Sequence, residues 1–283
     1  MIRFASGSDH APLKGLWSDI FGDSPDMVED YFARRHRDEN MLVEVIGGDI
    51  AGMLTMLPLH LLSPGRSLNA RYIYAVATAI PYRNQGVSTR LLDSAHEIMK
   101  SLGEAAAILV PASPSLFDFY QKRGYKTAFS LDVIRLDAGS LPPFPDNGRF
   151  ASCSAAVYTR LRDRAFASSR LYACWDERSV QYAVFPLSQE GGALHLISGK
   201  GEGCAAWERQ GDTVFVRELA LVNMDISTAL SVLHRALNAK AYQVRLPESS
   251  IPGADTLPFG MIKWLIPEPA LSGKPPYLSL ALD

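Results

Sequence analysis

A short polar turn between a buried strand and a helix is the part of the sequence best suited to chemistry. The turn carries Arg83, Gln85, Gly86 and Ser88 and follows the mostly apolar stretch 72–78. A turn of this kind leaves several backbone N–H groups without partners at the start of a helix. These groups and the positive end of the helix dipole bind phosphate. The sequence therefore predicts a pyrophosphate-binding turn here.

The elements that hold this turn alternate between strands and helices. Apolar residues recur with strand or helix periods, and glycine, proline and capping residues separate the segments. The predicted strands cover 2–5, 41–46, 50–58, 71–78, 105–110 and 125–136. The predicted helices cover 9–20, 25–37, 86–102 and 115–123. The alternation indicates an α/β (α+β) class, and the strand at 105–110 is apolar on both faces, as a central strand would be.

Residues 137–149 form the clearest break in the chain, because they contain three prolines and two glycines. Such a composition does not fit inside a regular helix or strand. We therefore predict one domain at 1–136, a Pro/Gly-rich linker at 137–149 and a second domain at 150–283.

The second domain repeats part of the first. A strand at 214–221, a helix at 225–238 and a strand at 242–246 follow the order found between 71 and 111. This pattern indicates a degenerate internal repeat. The second turn reads Val222-Asn223-Met224-Asp225, without glycine or arginine, and Asp225 places a negative charge where a phosphate would lie. We predict that the second copy does not bind a phosphate ligand.

Bulk composition excludes several classes of function. The chain has 283 residues, a net charge of −2 and 47% hydrophobic residues. Neither a basic patch nor an apolar segment long enough to span a membrane is present, so no nucleic-acid or membrane partner is expected. The first residues are typical of a strand, not of a signal peptide. The odd cysteine count, Cys153, Cys174 and Cys204, fits a reducing cytoplasm.

Two motifs in the N-terminal half resemble those of the GNAT (GCN5-related N-acetyltransferase) superfamily. Arg83-Asn84-Gln85-Gly86-Val87-Ser88 matches the family's Arg/Gln-x-x-Gly-x-Gly/Ala turn. Phe119-Tyr120-Gln121-Lys122-Arg123-Gly124-Tyr125 matches its aromatic helix ending in Tyr-x-x-x-Gly-Phe/Tyr. The chain departs from the family at Asn84 and Ser88, where Gly and Gly or Ala are usual, and at Ser113, where Asn is common. The resemblance covers about 1–136 and implies a GNAT fold with a mixed central sheet flanked by helices.

A GNAT domain followed by a degenerate GNAT-like copy is similar to the first two domains of the Eis-type aminoglycoside acetyltransferases. Those proteins carry a third, sterol-carrier-like domain, and this chain is expected to lack one because it ends too early. The choice of acceptor in that family therefore cannot be carried over. The second domain is expected to wall off part of the acceptor site or to form a subunit contact.

The resemblance implies acetyl-CoA as the donor and no metal. The backbone of 76–78 would pair with the pantetheine arm as an extra strand does. The turn would bind the pyrophosphate, with Arg83 beside it; Arg90 could face either phosphate or solvent. The implied cofactor-binding residues are Val76, Ala77, Thr78, Arg83, Asn84, Gln85, Gly86, Val87, Ser88, Thr89 and Ser115.

Tyr120 is the predicted general acid. A phenol can give a proton to the CoA thiolate that departs after an amine attacks the thioester. The general base stays open, and a water chain without a dedicated base is an equal alternative. The candidate bases are Glu29, Glu44, His60 and the C-terminal carboxylate of Asp283.

The leading hypothesis is an acetyl-CoA-dependent N-acetyltransferase acting on a small primary amine by direct attack in a ternary complex. The runner-up is a non-catalytic acyl-CoA sensor, and a third reading, a peptidyl or amino-acid acyltransferase, differs only in acceptor. An edge strand in either domain could pair across a homodimer. Trp17, Phe21, Tyr31 and Phe32 are expected to be mostly core, with one or two lining an acceptor groove. His195, His234 and the glycine-rich hairpin at 199–203 are interpreted as structural.

Overall fold

The computed structural model describes residues 1–184 and 190–280. The strands are β1 (Ile2–Phe4), β2 (Met41–Ile46), β3 (Asp49–Ser63), β4 (Arg66–Thr78), β5 (Ala106–Leu109), β6 (Lys126–Asp137), β7 (Gly148–Ser152), β8 (Tyr172–Cys174), β9 (Gly191–Ser198), β10 (Gly201–Gln210), β11 (Thr213–Val222), β12 (Ala241–Pro247) and β13 (Asp255–Trp264). The helices are α1 (His10–Phe21), α2 (Pro25–Arg34), α3 (Val87–Ser101), α4 (Ser115–Gln121), α5 (Ala155–Phe166), α6 (Glu177–Val184) and α7 (Ile226–Leu237).

The described chain forms two compact units. The first consists of Met1–His60, Leu68–Lys126 and Met261–Pro269. The second consists of the described residues within Leu61–Ser67, Thr127–Gly260 and Ala270–Asp283. The segment predicted as a linker, 137–149, lies within the second unit and includes a 3-10 turn at Ala138–Ser140. The domain boundaries predicted from composition stay predictions, because compactness does not test whether a segment folds independently.

The first unit contains a sheet in the order β1-β2-β3-β4-β5, followed by the last residues of β13. β4 and β5 are parallel, and α3 crosses between them, as a parallel connection requires. One face of α3 is buried in the core through Val87, Leu91, Ala95 and Met99. The helix ends before Gly103, whose φ of 71° is left-handed and terminates the helix as predicted.

The second unit contains a sheet in the order β6-β12-β11-β10-β9-β7. β11 and β12 are parallel and joined by α7. The buried face of α7, with Leu230 and Leu233, packs in a core with Val214 and Val244. The strand–helix–strand echo predicted from the sequence is therefore present, and so is the predicted mixed sheet flanked by helices.

Two strands pair with partners that the sequence did not predict. The strand predicted to finish the N-terminal half, β6, pairs along Leu131–Asp137 with β12. The C-terminal residues of β13, Met261–Trp264, pair with β5, beside which no such strand was predicted. Local periodicity identifies a strand but not its neighbour, because the pairing is decided by contacts more than 100 residues apart in the chain. No helix among the described residues is long and apolar enough to cross a membrane.

Candidate active site

The turn after β4 has a backbone suited to an anion. Asn84 has a φ of 61° and Gly86 a φ of 79°, both left-handed. Asparagine and glycine tolerate this conformation better than other residues. Gly86 is the N-cap of α3, and no side chain caps the helix there. Residues 83–86 are exposed to solvent.

The first N–H groups of α3 have no acceptor within the helix. The first bond back to the cap runs from the Arg90 N–H to the Gly86 carbonyl, so helix geometry gives the three N–H groups before it no acceptor within the helix. Ser88 is held by its hydroxyl, which lies 2.7 Å from that of Thr78 at the end of β4. This bond links two of the predicted binding segments and leaves the backbone of the turn open to an anion.

β4 bends just before its predicted ligand-binding backbone. Ala75, inside the strand, has a φ of 49°, which is strained for a residue with a Cβ. The parallel pairing with β5 covers only Ala70–Tyr72, opposite Ala106–Ile108. Within the described chain, Val76–Thr78 are thus not paired with β5 and offer that edge to an extended ligand. Nothing in the apolar sequence at this point indicated the bend.

Tyr120 lies near the end of α4. Its side chain is buried and makes an edge-to-face contact with Tyr125, with ring centroids 5.7 Å apart. Burial raises the pKa of Tyr120 to about 12, and the charge of Arg123 offsets part of that rise. The phenol therefore stays protonated at any ordinary pH, as a proton donor must. Ser115, at the start of α4, is exposed, and its hydroxyl lies 3.0 Å from that of Ser113.

Arg123 connects α4 to the start of α3. Its Nε donates to the Thr89 hydroxyl at 3.1 Å, and its guanidinium lies 3.5 Å from the centre of the Phe119 ring. Since Thr89 is in the first turn of α3, this contact fixes Tyr120 relative to the anion-binding turn. Sequence reasoning missed Arg123, although it lies inside the second motif, directly before Gly124.

The two arginines of the turn have different surroundings. Arg83 is exposed. The Nε of Arg90 donates to Glu44 at 2.8 Å, and its Nη1 donates to the Gln85 carbonyl at 2.7 Å. The Arg90 side chain therefore braces the turn from the protein side. The amide of Gln85 donates to the carbonyl of Pro81.

The candidate bases are placed as follows. The carboxylate of Glu44 is buried and pairs with Arg90. The carboxylate of Glu29 is exposed and pairs with Lys14 at 2.6 Å. Both carboxylates thus take part in ion pairs. His60 is exposed, and Asp283 lies outside the described residues.

The predicted aromatic residues form a packed cluster around Trp17. Trp17 and Tyr31 are buried, with ring centroids 4.4 Å apart, and Tyr74 of β4 contacts both. Phe21 remains 40% exposed and Phe32 is half-buried. Trp17 and Tyr31 therefore belong to the core, and only the two phenylalanines have surface available for an acceptor.

The residues interpreted as structural have structural partners. The Nδ1 of His234 lies 2.9 Å from the Tyr242 hydroxyl, and the Nε2 of His195 lies 3.5 Å from Glu202. The glycine-rich segment 199–203 comprises the tight turn between β9 and β10 and the first residues of β10. Cys153, Cys174 and Cys204 are free thiols. A cavity of about 660 Å³ lies in the second unit beside Val133 and Arg135 and includes no candidate site residue.

Residues 1–128 match the model of the acetyltransferase (GNAT) domain family. This match covers both motifs and the turn, Tyr120 and Arg123. The predicted resemblance of the N-terminal part to the GNAT superfamily and the predicted class of protein, an acyltransferase, are confirmed. No curated protein matches the sequence.

Three solved structures are similar to nearly the whole chain. A GCN5-related N-acetyltransferase from Anabaena variabilis has a TM-score of 0.78 at 18% identity, over 94% of this chain and 73% of its own. A GCN5-related N-acetyltransferase from Kribbella flavida has a TM-score of 0.72 at 18% identity, over 94% of this chain and 72% of its own. Eis1 from Mycobacterium abscessus has a TM-score of 0.71 at 14% identity, over 94% of this chain and 74% of its own. At these identities the likeness concerns the fold, which resembles the Eis type.

Proposed function

We propose that this protein is an acetyl-CoA-dependent N-acetyltransferase that acetylates a small primary amine by direct attack in a ternary complex. The observation that carries the proposal is the uncapped, left-handed N-terminus of α3 at Gly86. A cap formed by a side chain would compete with a pyrophosphate, and none is present there. The neighbouring edge of β4 at Val76–Thr78 suits the pantetheine arm.

Each part of the site has a role in this reaction. Bound acetyl-CoA supplies an acetyl thioester that an amine can attack directly. The first N–H groups of α3 and the Arg83 guanidinium hold the pyrophosphate charge. Tyr120 keeps its proton on the phenol oxygen until the sulfur needs it. The acceptor loses its own proton to water, which requires no dedicated base.

The test is release of free thiol from acetyl-CoA in the presence of a panel of small primary amines. The enzyme should turn over with at least one amine, and Tyr120→Phe should lower kcat by about 10²–10³-fold while acetyl-CoA binding stays within twofold. Phe119→Tyr, which adds a hydroxyl one position away, is the matched control. Binding of acetyl-CoA without turnover across the whole panel would instead identify an acyl-CoA sensor.

The proposal includes a cytoplasmic location and a homodimer. Three free cysteines suit a reducing compartment. Cell fractionation followed by immunoblotting would overturn the location if the protein appeared only outside the cytoplasm. Size-exclusion chromatography with light scattering would overturn the dimer if the mass stayed near 31.0 kDa at all concentrations.

A further inference from the structure

Two histidines and an aspartate converge in the first unit. His10 is the first residue of α1, and His36 and Asp38 follow the end of α2. The Nε2 atoms of both histidines lie 2.8 Å from the same oxygen, Oδ1 of Asp38. We call these three residues the His10–His36–Asp38 cluster. The proposed acetyl transfer makes no use of it.

The spacing of the donor atoms suits a small divalent ion. The three ligand atoms all lie within 4.8 Å of one another. Zinc binds histidine nitrogen and carboxylate oxygen at about 2.0–2.2 Å, which puts the ligands of a tetrahedral site about 3.3 Å apart. Small side-chain shifts would therefore seat the ion. Imidazole and carboxylate are ligands that zinc takes in proteins.

The packing around the cluster fixes the orientation of the His36 ring. The His36 ring stacks on Phe32 with centroids 4.6 Å apart and meets the His10 ring edge-on at 5.0 Å. The His36 side chain is only 4% exposed, and its Nδ1 has no hydrogen-bond partner. One carboxylate oxygen can accept from both rings, and this convergence brings the three donor atoms to a spacing from which one ion can bind all of them.

The cluster also has an entry path. The side chains of His10 and Asp38 are 39% and 37% exposed. An ion can reach the donor atoms from solvent, and water can complete the coordination.

We propose that the His10–His36–Asp38 cluster binds one zinc ion, with water as the remaining ligand. The ion ties the start of α1 to the segment after α2. Because it binds the folded chain at donors that lie apart in the unfolded one, it raises thermal stability without entering the acetyl-transfer reaction.

The test is a calorimetric titration of the full chain, freed of metal by chelator and dialysis, with zinc chloride alone. One ion should bind per chain, and the melting temperature should rise with zinc concentration. His10→Gln and Asp38→Asn should each weaken binding by about tenfold or more, since each removes a ligand. The matched control is His195→Gln, which removes the histidine of another histidine–carboxylate pair and should leave zinc affinity unchanged.

X-ray absorption spectroscopy of the zinc-loaded wild-type protein identifies the zinc ligands without any variant, and so tests the proposal even if a variant does not fold. Nitrogen and oxygen ligands with imidazole scattering are expected. Sulfur in the coordination shell would place the ion on a cysteine and overturn the proposal. It would also be overturned by the absence of one-to-one binding, or by unchanged affinity in both ligand variants.

Discussion

The turns that begin α3 and α7 differ at the helix cap, although each follows a strand and leads to a parallel partner strand. The first turn places left-handed Gly86 at the N-cap without a capping side chain. The second places Asp225 there in an extended conformation, and its carboxylate accepts from the Thr228 N–H at 2.8 Å. Asp225 thus occupies the position that a phosphate would take. One residue therefore decides whether a helix N-terminus is available to a ligand or satisfied by its own chain.

The second turn also shows how strongly such a position favours negative charge. Hydrogen bonds from the Ser227 hydroxyl and from the Thr228 N–H lower the pKa of Asp225 to about 2. The helix N-terminus stabilises the carboxylate in the same way that it would stabilise a phosphate. We expect the N-terminus of α3, which has no capping carboxylate, to stabilise the pyrophosphate of acetyl-CoA in this way.

The largest expected effect comes from making the first cap resemble the second. Gly86→Asp should weaken acetyl-CoA binding by at least about 100-fold, or about 2.7 kcal/mol, measured by calorimetry. The new carboxylate would repel the pyrophosphate, and a Cβ at this left-handed position would lie 3.2 Å from Arg90 Nη1.

Gly103→Asp is the matched control, because Gly103 also has a left-handed φ, 71°, and a Cβ there meets nothing within 4 Å. It lies at the opposite end of α3 and should bind acetyl-CoA like the wild type. Equal affinity of Gly86→Asp and Gly103→Asp would show that the pyrophosphate does not lie at the turn.

A smaller effect is expected where α4 is fixed to the first turn. Arg123→Lys should lower kcat by about tenfold, because lysine cannot both donate to Thr89 and stack on Phe119, and Tyr120 then loses its alignment. Affinity for acetyl-CoA should stay within about twofold, since the N–H groups of α3 are unchanged. Steady-state kinetics beside calorimetric titration separates the two quantities.

The exposed neighbour Lys122→Arg is the control for this exchange. If Arg123→Lys changed binding and left kcat alone, Arg123 would act on the donor site and not on the position of Tyr120.

Removing the second cap should affect stability and not binding. Asp225→Ala should lower the free energy of unfolding by about 1 kcal/mol, because the first N–H groups of α7 lose their acceptor. Asp225→Asn keeps a capping oxygen and should retain most of that stability. Urea denaturation measures both, and acetyl-CoA affinity should be unchanged in each; a loss of affinity would implicate the second turn in donor binding.

The contribution of Asp225 should also depend on pH in a defined direction. Its pKa in the folded protein, about 2, lies below the value of about 3.9 expected when unfolded. Its stabilising effect is therefore complete above about pH 4 and is lost as the pH falls towards 2. The melting temperatures of wild type and Asp225→Ala should converge over that range, and a difference that persisted at pH 2 would contradict this cause.

The last prediction is that ionisation of Tyr120 causes no change in kcat across the ordinary pH range. Its pKa of about 12 keeps the phenol protonated below about pH 11. The profile of kcat against pH should show no decline caused by Tyr120 up to about pH 10. A decline in the wild type that vanished in Tyr120→Phe would mean that bound acetyl-CoA changes the environment of this phenol.

The sequence predicts those parts of the site that depend on residue type within a short segment. Gly86 indicated the open cap, Asp225 indicated the closed one, and the helix stripes located α3 and α7. These features are local, because backbone conformation and capping depend on a few consecutive residues.

Features that depend on distant contacts were not predictable. The left-handed Ala75 lies in an ordinary apolar run, which does not mark its conformation. The Arg123–Thr89 bond joins the turn after α4 to the first turn of α3. The pairing of β13 with β5 brings together segments about 150 residues apart. Each depends on which surfaces meet after folding, and a single sequence does not record that.

Hydrogen–deuterium exchange with and without saturating acetyl-CoA tests the comparison of the two turns most directly. We predict that amides at 86–89 become at least about tenfold slower to exchange when the ligand binds, since they acquire acceptors. Amides at 225–228 should exchange at the same rate in both samples. Equal slowing at both turns, or slowing at neither under saturating ligand, would contradict the claim that the open cap at Gly86 is what binds the donor.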